Sequence, residues 1–106
     1  MATVPAVTVS ELRARLGTEP RPFLLDVREP WEFRDGHVPG AALIPLGELE
    51  QRVSEIPRDQ AVFAICHSGQ RSLAAAAYLL AAGYRDVVNV DGGTAAWIER
   101  GYPIDT

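Results

Sequence analysis

Hydrophobic positions along this chain follow two patterns: short unbroken apolar runs, and stretches in which apolar residues return every third or fourth position. The clearest run is Ala61-Val62-Phe63-Ala64-Ile65-Cys66, bounded by polar residues on both sides. A run of this kind reads as a strand buried on both faces. Phe23-Leu24-Leu25-Asp26-Val27 predicts a second such strand, with an acidic residue near its C-terminal end. Val7-Thr8-Val9, residues 41–44 and Asp86-Val87-Val88-Asn89-Val90 predict three more.

Helical signals lie between these runs. Ser10 is placed to cap residues 11–16, with Glu11 in the first turn and Gly17 as the stop. Pro30 opens a short helix over residues 30–34. Leu46, Leu49, Val53 and Ile56 keep helical spacing until Pro57 ends it. Residues 71–82 predict a helix whose apolar stripe is Leu73, Ala76, Ala77 and Leu80, widened by Tyr78 and Leu79, with Gly83 as the cap. Residues 94–100 predict a last helix, Trp97 inward and Gly101 at its end. Strands and helices that alternate through short connections predict an α/β fold: a mainly parallel, five-stranded sheet with helices on both faces. Ligands of such sheets bind beyond the C-terminal ends of the strands. Asp26, Cys66 and Asp91 all fall at or just past such ends.

Composition narrows the function. A length of 106 residues suits one domain, expected over residues 1–106 with its core at about 7–104. A net charge of -4 argues against nucleic acid or an anionic membrane as partner. No apolar stretch approaches the roughly 20 residues that span a bilayer. Residues 1–10 lack a basic segment and an apolar signal core, so no secretory signal is expected. One cysteine excludes an internal disulfide. With only His37 and His67 as further soft ligands, no metal site is expected either. A reducing cytoplasm is the expected setting.

The chemistry gathers where the Cys66 strand meets its helix. A strand that feeds a helix through a tight loop turns backbone N–H groups toward one point, at the positive end of the helix dipole. Cys66 begins that loop, Ser68 and Gly69 let it curl, and Arg71 closes it with a positive charge. The loop dipoles and Arg71 together are expected to lower the thiol's pKa and favour the nucleophilic thiolate. Cys66 is expected to be exposed enough to oxidise.

Cys66-His67-Ser68-Gly69-Gln70-Arg71-Ser72 resembles the active-site loop of the rhodanese family. Two flanking segments extend the likeness in the family's order. Leu25-Asp26-Val27-Arg28-Glu29, then Glu32-Phe33 and Gly36-His37-Val38-Pro39-Gly40-Ala41, look like its first signature, and Asp91-Gly92-Gly93 with Ala96-Trp97 looks like its C-terminal one. The resemblance implies a single α/β domain in which Cys66 takes sulfane sulfur from thiosulfate or a similar small anionic donor. The persulfide so formed passes its sulfur to cyanide, a small thiol or a protein acceptor, by a ping-pong scheme without cofactor. A sulfur-relay module acting on a protein partner is the alternative. Four residues separate Cys66 from Arg71, whereas related cysteine-based phosphatases place one more in that gap, so the shorter ring suits a terminal sulfur better than a tetrahedral oxyanion.

Within the loop, Arg71 either contacts the anionic substrate or braces the loop through an ion pair. His67 is expected to add positive potential from a solvent-facing position, with general base as the lesser alternative. His67, Ser68, Gly69, Gln70, Arg71 and Ser72 form the expected substrate-binding loop; Ser68 and Gln70 could touch substrate, but are expected to matter more through their backbone N–H groups. Asp26 and Arg28 are expected to hold neighbouring loops, Arg28 pairing with Glu32, while Asp91 and Gly92 support the loop from the turn beyond. His37 is read as structural, and Trp31 and Trp97 as core or rim packing.

Overall fold

In a computed structural model that describes residues 3–106, the five predicted strands form one sheet, and each helix-rich stretch crosses one of its faces. Met1 and Ala2, part of the expected domain and N-terminal reading, lie outside the described residues. The elements are β1 (Ala6–Val7), α1 (Val9–Leu16), β2 (Phe23–Asp26), α2 (Pro30–Asp35), β3 (Ala42–Leu43), α3 (Leu49–Arg52), β4 (Val62–Ile65), α4 (Gln70–Ala81), β5 (Val87–Val90) and α5 (Gly93–Glu99). The strand order is β1-β5-β4-β2-β3, and every pairing is parallel.

β4 lies at the centre because its sequence allows nothing else: all four residues are buried. Alternate side chains serve opposite faces, as a period of two requires. Val62, Ala64 and Cys66 join Leu25, Val27, Ala75, Ala76 and Leu79 on the side covered by α3 and α4. Phe63 and Ile65 join Leu12, Leu24, Val90 and Trp97 on the side covered by α1 and α5. The helices therefore cover both faces, and the C-terminal ends of β2, β4 and β5 open on one edge.

Local chemistry moved several boundaries. Thr8, not Ser10, caps α1: its hydroxyl accepts the Glu11 N–H at 3.1 Å, and Glu11 accepts the Thr8 N–H at 2.9 Å. This reciprocal box begins the helix at Val9 and shortens β1 to two residues. The stretch with stripe Leu46, Leu49, Val53 and Ile56 is not one helix. A single turn of α-helix, α3, sits between two 3-10 turns.

The α4 stripe is displaced by one position. Ser72, Ala75, Ala76 and Leu79 face inward, whereas Leu73 is 46% exposed and Ala77 lies outside. The inward face begins at the first turn, where the Ser72 hydroxyl donates to the Cys66 sulfur, and continues through Ala75, Ala76 and Leu79 into the core.

Candidate active site

The loop between β4 and α4 is held from below by α5. The carbonyls of Cys66 and His67 accept the Thr94 and Ala95 N–H groups at 2.8 and 2.9 Å. Those N–H groups are among the donors that a helix's first turn leaves unpaired, so α5 spends them on the loop backbone. The approach requires Gly93. A Cβ there would run into the Cys66 carbonyl oxygen and lie 2.6 Å from that of His67, and its φ of +58° is left-handed.

With those carbonyls turned toward α5, the following N–H groups converge on sulfur. Gly69 N–H donates to Cys66 Sγ at 3.1 Å, and the Ser72 hydroxyl donates at 3.3 Å. Cys66 is only 1% exposed, so the expected open, oxidisable cysteine is instead a sulfur sunk beneath its loop. Burial alone pushes the thiol up. The Ser72 hydroxyl and the backbone N–H groups of Ser72, Gly69 and Ser68 outweigh it and hold the pKa below that of an ordinary thiol.

Arg71 points away from the sulfur's donors toward α2. Its two terminal nitrogens each meet one oxygen of Glu32 at 2.8 Å, a bidentate pair between the loop and the second helix. The Arg71 guanidinium beside it lowers the Glu32 carboxyl to about 2.

Arg28 does not pair with the Glu32 carboxylate. Its Nε lies 3.0 Å from Asp26 Oδ1 and its Nη2 2.8 Å from Asp26 Oδ2, with both side chains buried. The same guanidinium donates to the carbonyl of Gly36 at 3.0 Å and to that of Glu32 at 3.4 Å. Asp26 and Arg28 thus tie the end of β2 to the turn after α2. The charges cross over: Arg28 takes Asp26, and Glu32 is left for Arg71.

His67 and Gln70 are exposed. His67 borders a cleft of about 410 Å³ lined also by Arg28, Trp31, Glu32, Thr94 and Ile98. Trp31 (61% exposed) stands at its rim, whereas Trp97 (2% exposed) is core and donates from Nε1 to the Pro103 carbonyl at 2.7 Å. Asp91 and Gly92 lie beyond β5, one step removed from the sulfur. A Cβ on Gly92 would meet Ala96 Cβ at 2.7 Å, within the helix that clasps the loop.

Residues 8–100 match the family model described as the Rhodanese-like domain. The chain belongs to the rhodanese family. A sulfurtransferase of Allochromatium vinosum is 40% identical over 101 residues, which cover 95% of this chain and 94% of that protein. The Bacillus subtilis protein YrkF, named as a candidate sulfur carrier, is 34% identical over 91% of this chain, which spans only 52% of YrkF. A solved rhodanese-related protein from Thermoplasma volcanium superposes with a TM-score of 0.88 at 34% identity, over 95% of this chain and 97% of that one.

Two residues of this rhodanese have contacts at the loop that the sequence did not disclose. Asn89 sits in β5 among valines, 2% exposed, and its Nδ2 donates to the Gly69 carbonyl at 3.1 Å and to Asp91 Oδ1 at 3.2 Å. The signal was there, as the one amide in an apolar strand. Glu32 was singled out in sequence, but as the partner of Arg28; its actual partner, Arg71, is 39 residues away. Among the described residues no helix is long and apolar enough to cross a membrane.

Proposed function

We propose that this rhodanese is a sulfurtransferase that carries sulfane sulfur as a persulfide on Cys66. The observation that carries the reading is the setting of that sulfur, a buried atom met by the Gly69 N–H and the Ser72 hydroxyl and made more acidic than an ordinary thiol. In the first half-reaction the Cys66 thiolate attacks the outer sulfur of thiosulfate or a similar donor. A bond forms from Sγ to that sulfur, the donor's S–S bond breaks, and sulfite leaves with the electron pair. The donors that favoured the thiolate then face an anionic persulfide. In the second half-reaction cyanide or a thiolate attacks the terminal sulfur and departs as thiocyanate or a new persulfide. The electron pair returns to Cys66, so the sequence is ping-pong and its electron count closes without a cofactor.

Arg71 fits a bracing role in this scheme, since Glu32 occupies both of its terminal nitrogens. Its commitment also leaves the loop without the free guanidinium that a phosphate would need. Intact-mass measurement after incubation with thiosulfate tests the proposal. One added sulfur and released sulfite are expected from the native protein and neither from Cys66→Ser. An unmodified native protein would overturn the reading.

A second reading makes the protein a relay that hands its sulfur to a protein partner. The similarity to YrkF supports it, as do the exposed Trp31 and Ile98 beside the cleft, a pair better matched to an apolar surface than to cyanide. Protein loaded with labelled sulfur should then pass the label, in a cell extract, to a discrete polypeptide and not only to small thiols. Label recovered solely as small-molecule persulfide would rule the relay out.

A further inference from the structure

Gly69 donates its backbone N–H to the Cys66 sulfur at 3.1 Å, and it does so from a left-handed conformation, φ +105° and ψ -4°. Glycine adopts such a conformation without steric cost, but its backbone also has the most freedom to lose in holding it. Something outside the loop must hold it. The turn after β5 packs beside it, a Cβ built there meeting the Gly92 nitrogen at 3.4 Å and the Val90 oxygen at 3.5 Å in ordinary contact. The specific restraint is the Asn89 amide. Its Nδ2 reaches up from β5 to the Gly69 carbonyl at 3.1 Å, the acceptor that also takes the Leu73 N–H at 3.3 Å in the first turn of α4.

The amide's own orientation is settled by two acceptors. Gly69 O and Asp91 Oδ1 lie on one side of it and both require an N–H. The NH2 group therefore faces them, and Oδ1 is left buried without a partner. An unpaired buried acceptor is unfavourable by about 1–3 kcal/mol, and a strand of valines would be spared it by one more valine. A polar group kept in an apolar strand at such a disadvantage marks a task that its donor side performs.

We propose that Asn89 is the positioning residue of the sulfur-bearing loop: its amide locks the Gly69 carbonyl, and so fixes the Gly69 N–H on the Cys66 sulfur. Asn89 touches no substrate and acts through Gly69 alone. The assignment rests on Cys66 as the nucleophile of the reading above, but not on the identity of its sulfur donor.

The test is the pH profile of Cys66 alkylation by a small reagent such as iodoacetamide, which needs no sulfur donor. Asn89→Leu keeps the volume and burial of the site but removes the donor. Its midpoint should rise by about one pH unit, equivalent to about tenfold less thiolate at a fixed pH below the midpoint. Val88→Ala weakens the same strand and should lower Tm without moving the midpoint, which separates positioning from general loosening of β5. An Asn89→Leu protein that is folded by circular dichroism and titrates like the native one would overturn the proposal.

Should Asn89→Leu not fold, native protein labelled with 15N decides. The Asn89 side-chain amide resonances should shift with the same midpoint as alkylation, and resonances unmoved across the titration would overturn the proposal equally. Failure of persulfide formation from thiosulfate, with the alkylation midpoint still moved by Asn89→Leu, would strike the sulfur-transfer reading and leave this one standing.

Discussion

Ser72 shows how much a single side chain does at this site. It is fully buried on the inward face of α4, and its hydroxyl is spent on the Cys66 sulfur. Ser72→Ala removes that donor without leaving an unpaired polar group. The midpoint of sulfur uptake or alkylation against pH should then rise by roughly half to one unit. Glu32 makes a different prediction. Because Arg71 lowers its carboxyl to about 2 from the ordinary 4.5, the pair's contribution to stability is complete above about 4.5 and is lost as pH falls toward about 2. Thermal melts across that range should show native protein losing its advantage over Glu32→Gln as the carboxyl protonates. The proposed nucleophile and the loop around it could be singled out in sequence because they are contiguous. The Arg71–Glu32 and Asn89–Gly69 contacts were not, because their partners stand 39 and 20 residues apart and only the fold brings them together.

At the scale of elements, the decisive contact runs from backbone to backbone. The first turn of α5 gives its Thr94 and Ala95 N–H groups to the carbonyls of Cys66 and His67, so a helix serves as the floor of a loop. Gly93→Ala would force a Cβ into those carbonyls from a left-handed backbone. The variant should lose stability by at least the ~1–3 kcal/mol typical of overpacking. Persulfide formation should fall with it, measured by denaturant unfolding and by mass. Periodicity alone misplaced α4 by one residue because Leu73, Ala77 and Leu80 make as regular a stripe as Ala75, Ala76 and Leu79. Alanine and leucine are both acceptable inside, and the inward face begins at the polar Ser72, where hydropathy carries no information.

For the whole molecule, the α/β architecture was readable from alternation and short connections, whereas the strand order β1-β5-β4-β2-β3 was not. Nor could the linear pattern supply how the charges divide among partners. The chain carries a net charge of -4, yet its proposed donor is a dianion. Screening that repulsion with salt should raise kcat/KM for thiosulfate by about twofold between low and physiological ionic strength. A neutral thiol acceptor should respond less. A fall with added salt would instead mean that the loop's local positive potential governs encounter.

The depth of the sulfur has one more consequence. At 1% exposure the empty cysteine is hidden from large reagents and partners. On the proposed reading, loading would add one sulfur atom about 2 Å beyond Sγ. The loaded and empty forms of such a carrier would then differ in a single atom at the mouth of the loop, and an acceptor that recognises that atom would pass over the empty form.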